Sequence, residues 1–207
     1  MTDDAGGVDR DREWVELTLE RPVWHRFFTV SPLVLVGTRE KDGYDLAPKH
    51  MAFPLGWERL FGFVCTPRHA TYHNAREFGG FTVSYPRPEQ VVLAGLAAQQ
   101  REGGAEPPPG VASFPTEPAR VVEGVVLSGA YVQLECELER IVDGLGTASL
   151  VIGKVVACRA AGDALRVSES SDAELVRDSP LLAYLHPGRY AEVSDSKAFP
   201  FPANFHL

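Results

Sequence analysis

The segment YVQLECELE, residues 131–139, constrains the fold of this chain more than any other stretch. Val132, Leu134, Cys136 and Leu138 alternate with Gln133, Glu135, Glu137 and Glu139. Strict period-2 patterning belongs to a β-strand with one buried and one solvated face. Its expected antiparallel partner is SLVIGKVVACR, residues 149–159, across a turn containing Gly144 and Gly146. On this reading the acids Glu135, Glu137 and Glu139 form a solvated strand face rather than acid–base machinery.

Further short strands precede this pair. LVLVGT, residues 33–38, is a continuous apolar run that ends at Lys41, Asp42 and Gly43. Asp-Gly between apolar runs is a strong hairpin signal, so residues 44–53 are the expected returning strand. Residues 60–65 and 81–85 read as two more strands. Between them, residues 70–78 can form a short helix that Gly79 and Gly80 terminate. Val91, Val92, Leu93, Leu96 and Ala97 supply the apolar stripe of another helix. The Pro- and Gly-rich stretch 103–118 reads as a long loop without regular structure.

The flanks are less patterned. Residues 1–12 read as a flexible leader, and residues 13–207 as a single domain ending in the aromatic tail KAFPFPANFHL. Trp14, Leu17, Val23, Trp24, Phe27 and Phe28 suit a short helix lying over the main body or a neighbouring subunit. Residues 175–184 read as mixed helical or irregular. Many short strands and few helices indicate a mainly β fold, a Greek-key barrel in which closure removes exposed edges.

Composition narrows the function classes. A formal charge of -8 argues against general affinity for nucleic acid or anionic membrane surfaces, so any phosphate site must be a local basic island. Cys65, Cys136 and Cys158 are widely spaced, which fits neither a metal motif nor a disulfide framework. The N-terminus lacks an apolar secretory core, and no apolar run reaches the length of a membrane span; a cytoplasmic protein is expected. G-x-G-x-x-G after a strand, a P-loop and a G-x-S-x-G elbow are all absent. His69 and His73 share i, i+4 spacing, but no H-E-x-x-H pattern or third ligand accompanies them, so no metal is expected.

Two segments can carry binding chemistry. In TPRHAT, residues 66–71, free N–H groups at a helix start favour an anion, Arg68 can hold a phosphate bidentately, and Thr66 and Thr71 can donate hydroxyls. Asn74, one turn on, can cap or orient this cluster. The same residues also suit an ordinary β-to-α turn, with Thr71 as cap and Arg68 solvated. If Arg68 holds a phosphate, Arg68→Ala should weaken binding by about 1.5–3 kcal/mol. In APKHMAF, residues 47–53, Pro48 confines the strand to an edge or bulge. Its open backbone can bond the polar rim of a flat heterocycle, with Met51 and Phe53 as an apolar bed. Outward-facing charges that block edge association are the alternative.

The order of these pieces resembles the flavin reductase-like family of FMN-binding split barrels. A strand, a D-G hairpin, APKHMAF, GWERLFGFVCTP, RHATYHNAREFG and FTVSYP are followed by LECELERIVDG and LVIGKVVA, so the likeness runs from about residue 30 to 160. It implies a homodimer with FMN near the subunit interface. Lys49, His50, Met51, Ala52 and Phe53 would contact the isoalloxazine, and Thr66, Arg68, His69 and Thr71 would hold the ribityl phosphate. The implied activity is that of an NAD(P)H:flavin reductase, with NADH or NADPH as co-substrate and an electron acceptor or partner monooxygenase downstream. Many such reductases carry a histidine where this chain has Thr147, Ala148 and Ser149. That departure keeps open a flavoenzyme acting directly on a small organic substrate, or an electron carrier without turnover. His186, Arg189 and Tyr190 are candidates to replace the lost imidazole, or else belong to a plain turn into the last strand.

Overall fold

The computed structural model describes residues 14–98, 114–167 and 171–202. Seven antiparallel strands form the main sheet, in the order β3-β2-β6-β9-β10-β5-β4. They are β2 (Val34–Glu40), β3 (Gly43–Lys49), β4 (Ala52–Pro54), β5 (Leu60–Cys65), β6 (Gly80–Tyr85), β9 (Val132–Leu145) and β10 (Ala148–Ala160). A second sheet has the order β1 (Thr29–Pro32), β11 (Leu181–His186) and β12 (Arg189–Val193). β7 (Thr116–Pro118) and β8 (Val125–Leu127) pair separately, so the end of the expected 103–118 loop is a short strand. The result is the mainly β split barrel expected from the sequence.

Closure of the barrel corrects one sequence boundary. The expected single strand 44–53 is two strands, β3 and β4, at opposite edges of the sheet yet joined by His50 and Met51 alone. A link this short spans the two edges only if the sheet curls until they meet. The Met51 carbonyl accepts from the Val64 N–H at 2.8 Å, which ties the link to β5. His50 therefore sits at the seam.

β2 shows why an apolar run need not alternate. Val34 and Val36 enter the barrel core with Phe61, Phe63, Phe81 and Val151. Leu35, on the other face, packs with Leu46, Ala94, Ala97 and Leu127. The helix α2 (Val91–Leu96) thus covers the outside of β2 and β3 and makes a second core.

β9 departs from its pattern for a similar reason. Gln133 and Glu135 are buried, not solvated, because the chain around β7 and β8 lies over them. The Gln133 amide donates to the Leu127 carbonyl at 2.8 Å. The Glu135 carboxylate accepts the N–H groups of Arg120, Val121 and Val122 at 2.6–3.0 Å. Glu137 and Glu139 remain exposed as expected. Residues 175–184 are also resolved into regular pieces, the helix α3 (Asp172–Asp178) followed by β11.

At the crossing of β6, β9 and β10 the backbone must come close. A Cβ on Gly153 would stand 2.5 Å from the Phe81 ring and 2.9 Å from the Cys136 Cβ. Gly153→Ala is expected to destabilise by about 1–3 kcal/mol through overpacking, measured as a shift of the urea midpoint at unchanged m-value. Among the described residues, no helix is long and apolar enough to cross a membrane.

Candidate functional site

A cavity of ≈ 530 Å³ opens between the end of β3, the start of α1 (Ala70–Phe78), α2 and the β11–β12 hairpin. That volume lies within the range of small-molecule sites. The sequence explains the placement. β3 runs to the barrel seam, so Lys49 and His50 arrive where the sheet edges meet. The turn after β5 then delivers the α1 N-terminus to the same place, and Gly79, at φ +72°, ends that helix with its N–H on the Ala75 carbonyl.

At the α1 end, Lys49, His69 and Thr71 line the wall together with Asp45. Lys49 is 9% exposed and has no carboxylate partner within ion-pair distance among the described residues. Its charge acts on the nearby Cys65 thiol, which itself donates to the Thr66 carbonyl at 3.6 Å. Burial pushes that thiol's pKa up, with Lys49 opposing the shift. Burial and the Lys49 charge together hold His69 below the usual histidine value, against Asp45. The Thr71 hydroxyl donates to Asp45 Oδ2 at 3.2 Å. His69 occupies the N-cap position without a side-chain cap bond; the Tyr72 N–H donates to the His69 carbonyl at 3.1 Å, which leaves the Ala70 and Thr71 N–H groups for a ligand.

The β11–β12 hairpin forms another part of the wall. Tyr184, Gly188, Arg189 and Tyr190 line it beside His50. The His50 ring lies 4.7 Å from Tyr184 and 5.4 Å from His186, at 17° to the latter. His25, from a single 3₁₀ turn at Val23–His25, continues the stack 5.0 Å beyond His186. The Gly188 N–H donates to the Tyr184 hydroxyl at 2.9 Å and sets the hairpin tip.

The structure therefore brings together Lys49, His50, His69, Thr71, Arg189 and Tyr190 in one cavity wall, with His186 behind His50. Other candidates lie elsewhere. Ala52 is buried in the barrel core. Met51 and Phe53 are 46% and 42% exposed and do not line the cavity. Thr66 and Arg68 also lie outside the lining; Arg68 is exposed and its N–H reaches the Thr66 hydroxyl at 3.5 Å. Asn74 turns toward β2, donating to Thr38 Oγ1 at 3.1 Å and to Glu40 Oε1 at 3.4 Å.

Sequence reasoning missed Asp45, Tyr184 and the α2 wall. Asp45 follows the hairpin turn in a position that reads as polar strand surface, and long-range packing alone buries it. Tyr184 lay in the stretch read as irregular, although the LLAYLH run itself carries a strand signal. The Thr147–Ser149 stretch does not reach the cavity wall. Ser149 is fully buried and donates to Asp143 Oδ1 at 2.6 Å, where Tyr72 also donates at 3.0 Å.

Comparison with known proteins agrees with this architecture. Residues 26–193 match the family described as flavin reductase like domain, and the chain belongs to that family. No curated protein matches it significantly in sequence. Among solved structures, it is similar to an FMN-binding protein from Thermus thermophilus with bound p-hydroxybenzaldehyde, at TM-score 0.71 and 21% identity, covering 91% of this chain and 99% of that one. A flavoredoxin from Methanosarcina acetivorans gives TM-score 0.72 at 16% identity, covering 93% and 97%. The 2-nitrobenzoate 2-nitroreductase of Pseudomonas fluorescens gives TM-score 0.69 at 20% identity, covering 86% and 87%. At these identities the likeness is one of fold, and family membership supports a flavin-related oxidoreductase.

Proposed function

We propose that this member of the flavin reductase-like family binds FMN noncovalently in the cavity and works as an FMN-dependent oxidoreductase. The observation that carries the proposal is Lys49, a buried ammonium without a carboxylate partner among the described residues, beside the open N–H groups of a nine-residue helix. Burying such a charge is costly unless an anion answers it. The phosphate of FMN fits that seat, with His69 and the Thr71 N–H as further donors. The edge of β3 at Ala47–Lys49 offers backbone groups to the flat ring system, and the apolar side of α2 at Ala94 excludes water.

When bound, the flavin supplies two-electron chemistry, and the protein's part is to hold, orient and shield it. The sequence-level assignment of Thr66 and Arg68 to the phosphate becomes the weaker one, since both lie outside the cavity lining. Arg68→Ala is now expected to cost less than about 1 kcal/mol of FMN affinity, the scale of an exposed ion pair. A loss of the size first expected for a direct charged bond would restore Arg68 to the site. The affinity follows from quenching of FMN fluorescence.

Two reactions fit the cavity. In the first, NADH or NADPH reduces the flavin, which passes electrons to an acceptor or a partner monooxygenase. In the second, the flavin acts directly on a small organic substrate under the hairpin. The second reading is favoured by the aromatic wall at Tyr184 and Tyr190. Anaerobic addition of NADH or NADPH to the FMN-loaded protein separates them. Rapid bleaching identifies a reductase; a spectrum that stays yellow removes the nicotinamide reaction.

The same proposal includes a homodimer. Val30 on β1, Phe53 on β4, Trp57 in the next turn and Trp24 in the 3₁₀ turn are 72%, 42%, 94% and 60% exposed. These exposed side chains, two of them on the contacting strands β1 and β4, are the proposed subunit contact. Trp57→Glu is the corresponding test: it should shift the protein toward monomer in analytical ultracentrifugation, and an unchanged sedimentation coefficient would remove this face from the interface.

A further inference from the structure

The α1 and hairpin parts of the cavity wall differ in what they leave unanswered. The phosphate seat proposed above occupies the α1 end, where Asp45 also lies, the one acid among the described lining residues. The hairpin end has no acid in its described lining. Arg189, exposed at the hairpin tip, lines the cavity there with no ion-pair partner among the described residues. In a chain of net charge -8, this is a local inversion of sign.

The imidazole stack sharpens the contrast. His50 Nε2 and His186 Nδ1 are both buried without a hydrogen-bond partner. The groups facing His50 are Lys49 from β3, His186 and Tyr184 from β11, His25 through His186, and Arg189 from β12. All are cationic or neutral near neutral pH. Burial, His186 and Lys49 together hold His50 below the usual histidine value, and no counter-charge stands beside it among the described lining residues. A negatively charged ligand at this end would supply it, and would draw in a proton as it bound.

We propose that the hairpin end of the cavity is a subsite for the carboxylate of a planar aromatic acid, gripped by Arg189 and stacked against Tyr184 and Tyr190. The guanidinium fork matches a carboxylate with two parallel hydrogen bonds. The tyrosine and imidazole faces suit a flat ring rather than an aliphatic chain. The subsite gives the direct-substrate reading its substrate class. It depends on the FMN proposal only in taking the α1 end as already filled.

Calorimetric titration of the full-length protein, flavin-free and FMN-saturated, tests this with benzoate, its neutral isostere benzamide, and inorganic pyrophosphate as a stand-in for the dinucleotide's anionic group. Benzoate should bind at least roughly tenfold more tightly than benzamide, the scale of a charge-assisted pair. Its affinity should rise severalfold from about pH 8 to about pH 6, with buffer-dependent enthalpies that report proton uptake. FMN should not displace it. Arg189→Gln should erase the preference over benzamide. His50→Phe keeps a ring in the stack and should flatten the pH dependence while retaining that preference. Equal affinity for benzoate and benzamide, displacement of benzoate by FMN, or tighter Arg189-dependent binding of pyrophosphate would each overturn the proposal. The benzoate–benzamide contrast remains readable if the protein binds no flavin at all, so the two proposals fail separately.

Discussion

Glu135→Ala is expected to lower the unfolding free energy by about 2–4 kcal/mol, because it leaves several N–H groups without their acceptor at once. Glu135 is 3% exposed, and its carboxylate collects the N–H groups of Arg120, Val121 and Val122. It therefore pins the segment before β8 onto β9. Burial raises its pKa, but the three N–H bonds and the Arg159 charge outweigh that and hold it below its ordinary 4.5. A carboxyl with a depressed folded pKa stabilises the fold above its unfolded value. That contribution fades as pH falls from near 4.5 toward the lower folded value. Chemical denaturation from neutral pH down to about pH 3 should thus show the wild type losing stability faster than Glu135→Ala. Parallel pH profiles would show that the carboxylate is not the pin.

Lys49→Gln carries the second large effect. It keeps the length and a hydrogen-bond donor but removes the charge, so FMN affinity should fall by about 1.5–3 kcal/mol, roughly ten- to 150-fold. Stability should change in the opposite sense or hardly at all in the flavin-free protein, since a buried ammonium without a carboxylate partner is itself costly. The pairing of weaker binding with undiminished stability distinguishes an anion seat from a structural lysine. If the substitution instead destabilises the flavin-free protein by several kcal/mol and leaves affinity intact, Lys49 belongs to the fold and not to the site.

Much of the fold could be read locally. The D-G hairpin, the apolar run of β2, the helix stopped by Gly79 and the β9–β10 pair all carry signals within a few residues. What could not be read depends on closure. A strand pattern continues from Tyr44 to Phe53, and nothing in those residues says that the sheet edges meet at His50 and Met51. Glu135 has the same lesson: the alternation is genuine, but the face it predicts as wet is covered by a segment that arrives from the loop before it.

The site was legible in parts and not as a whole. TPRHAT and APKHMAF were each visible as segments able to bind an anion or a flat ring, and the fold brings Thr71 and His69 from one into the same wall as Lys49 and His50 from the other. Within each segment the sequence could not say which side chains face inward. Arg68, chemically the strongest phosphate ligand of the set, stays at the surface, and the quieter Lys49 is enclosed. The hairpin wall was the least legible element. Its stack joins His25, His50 and His186 from three distant parts of the chain, a pattern with no local spacing to reveal it.

The cavity beside Lys49 is the proposed seat of FMN. Titration of the purified, flavin-stripped protein with FMN, followed by quenching of flavin fluorescence and by the visible spectrum, tests it most directly. Saturable binding stoichiometric with the chain is expected, weakened in Lys49→Gln and nearly unchanged in Arg68→Ala. Absence of saturable binding, or binding indifferent to Lys49, would contradict it.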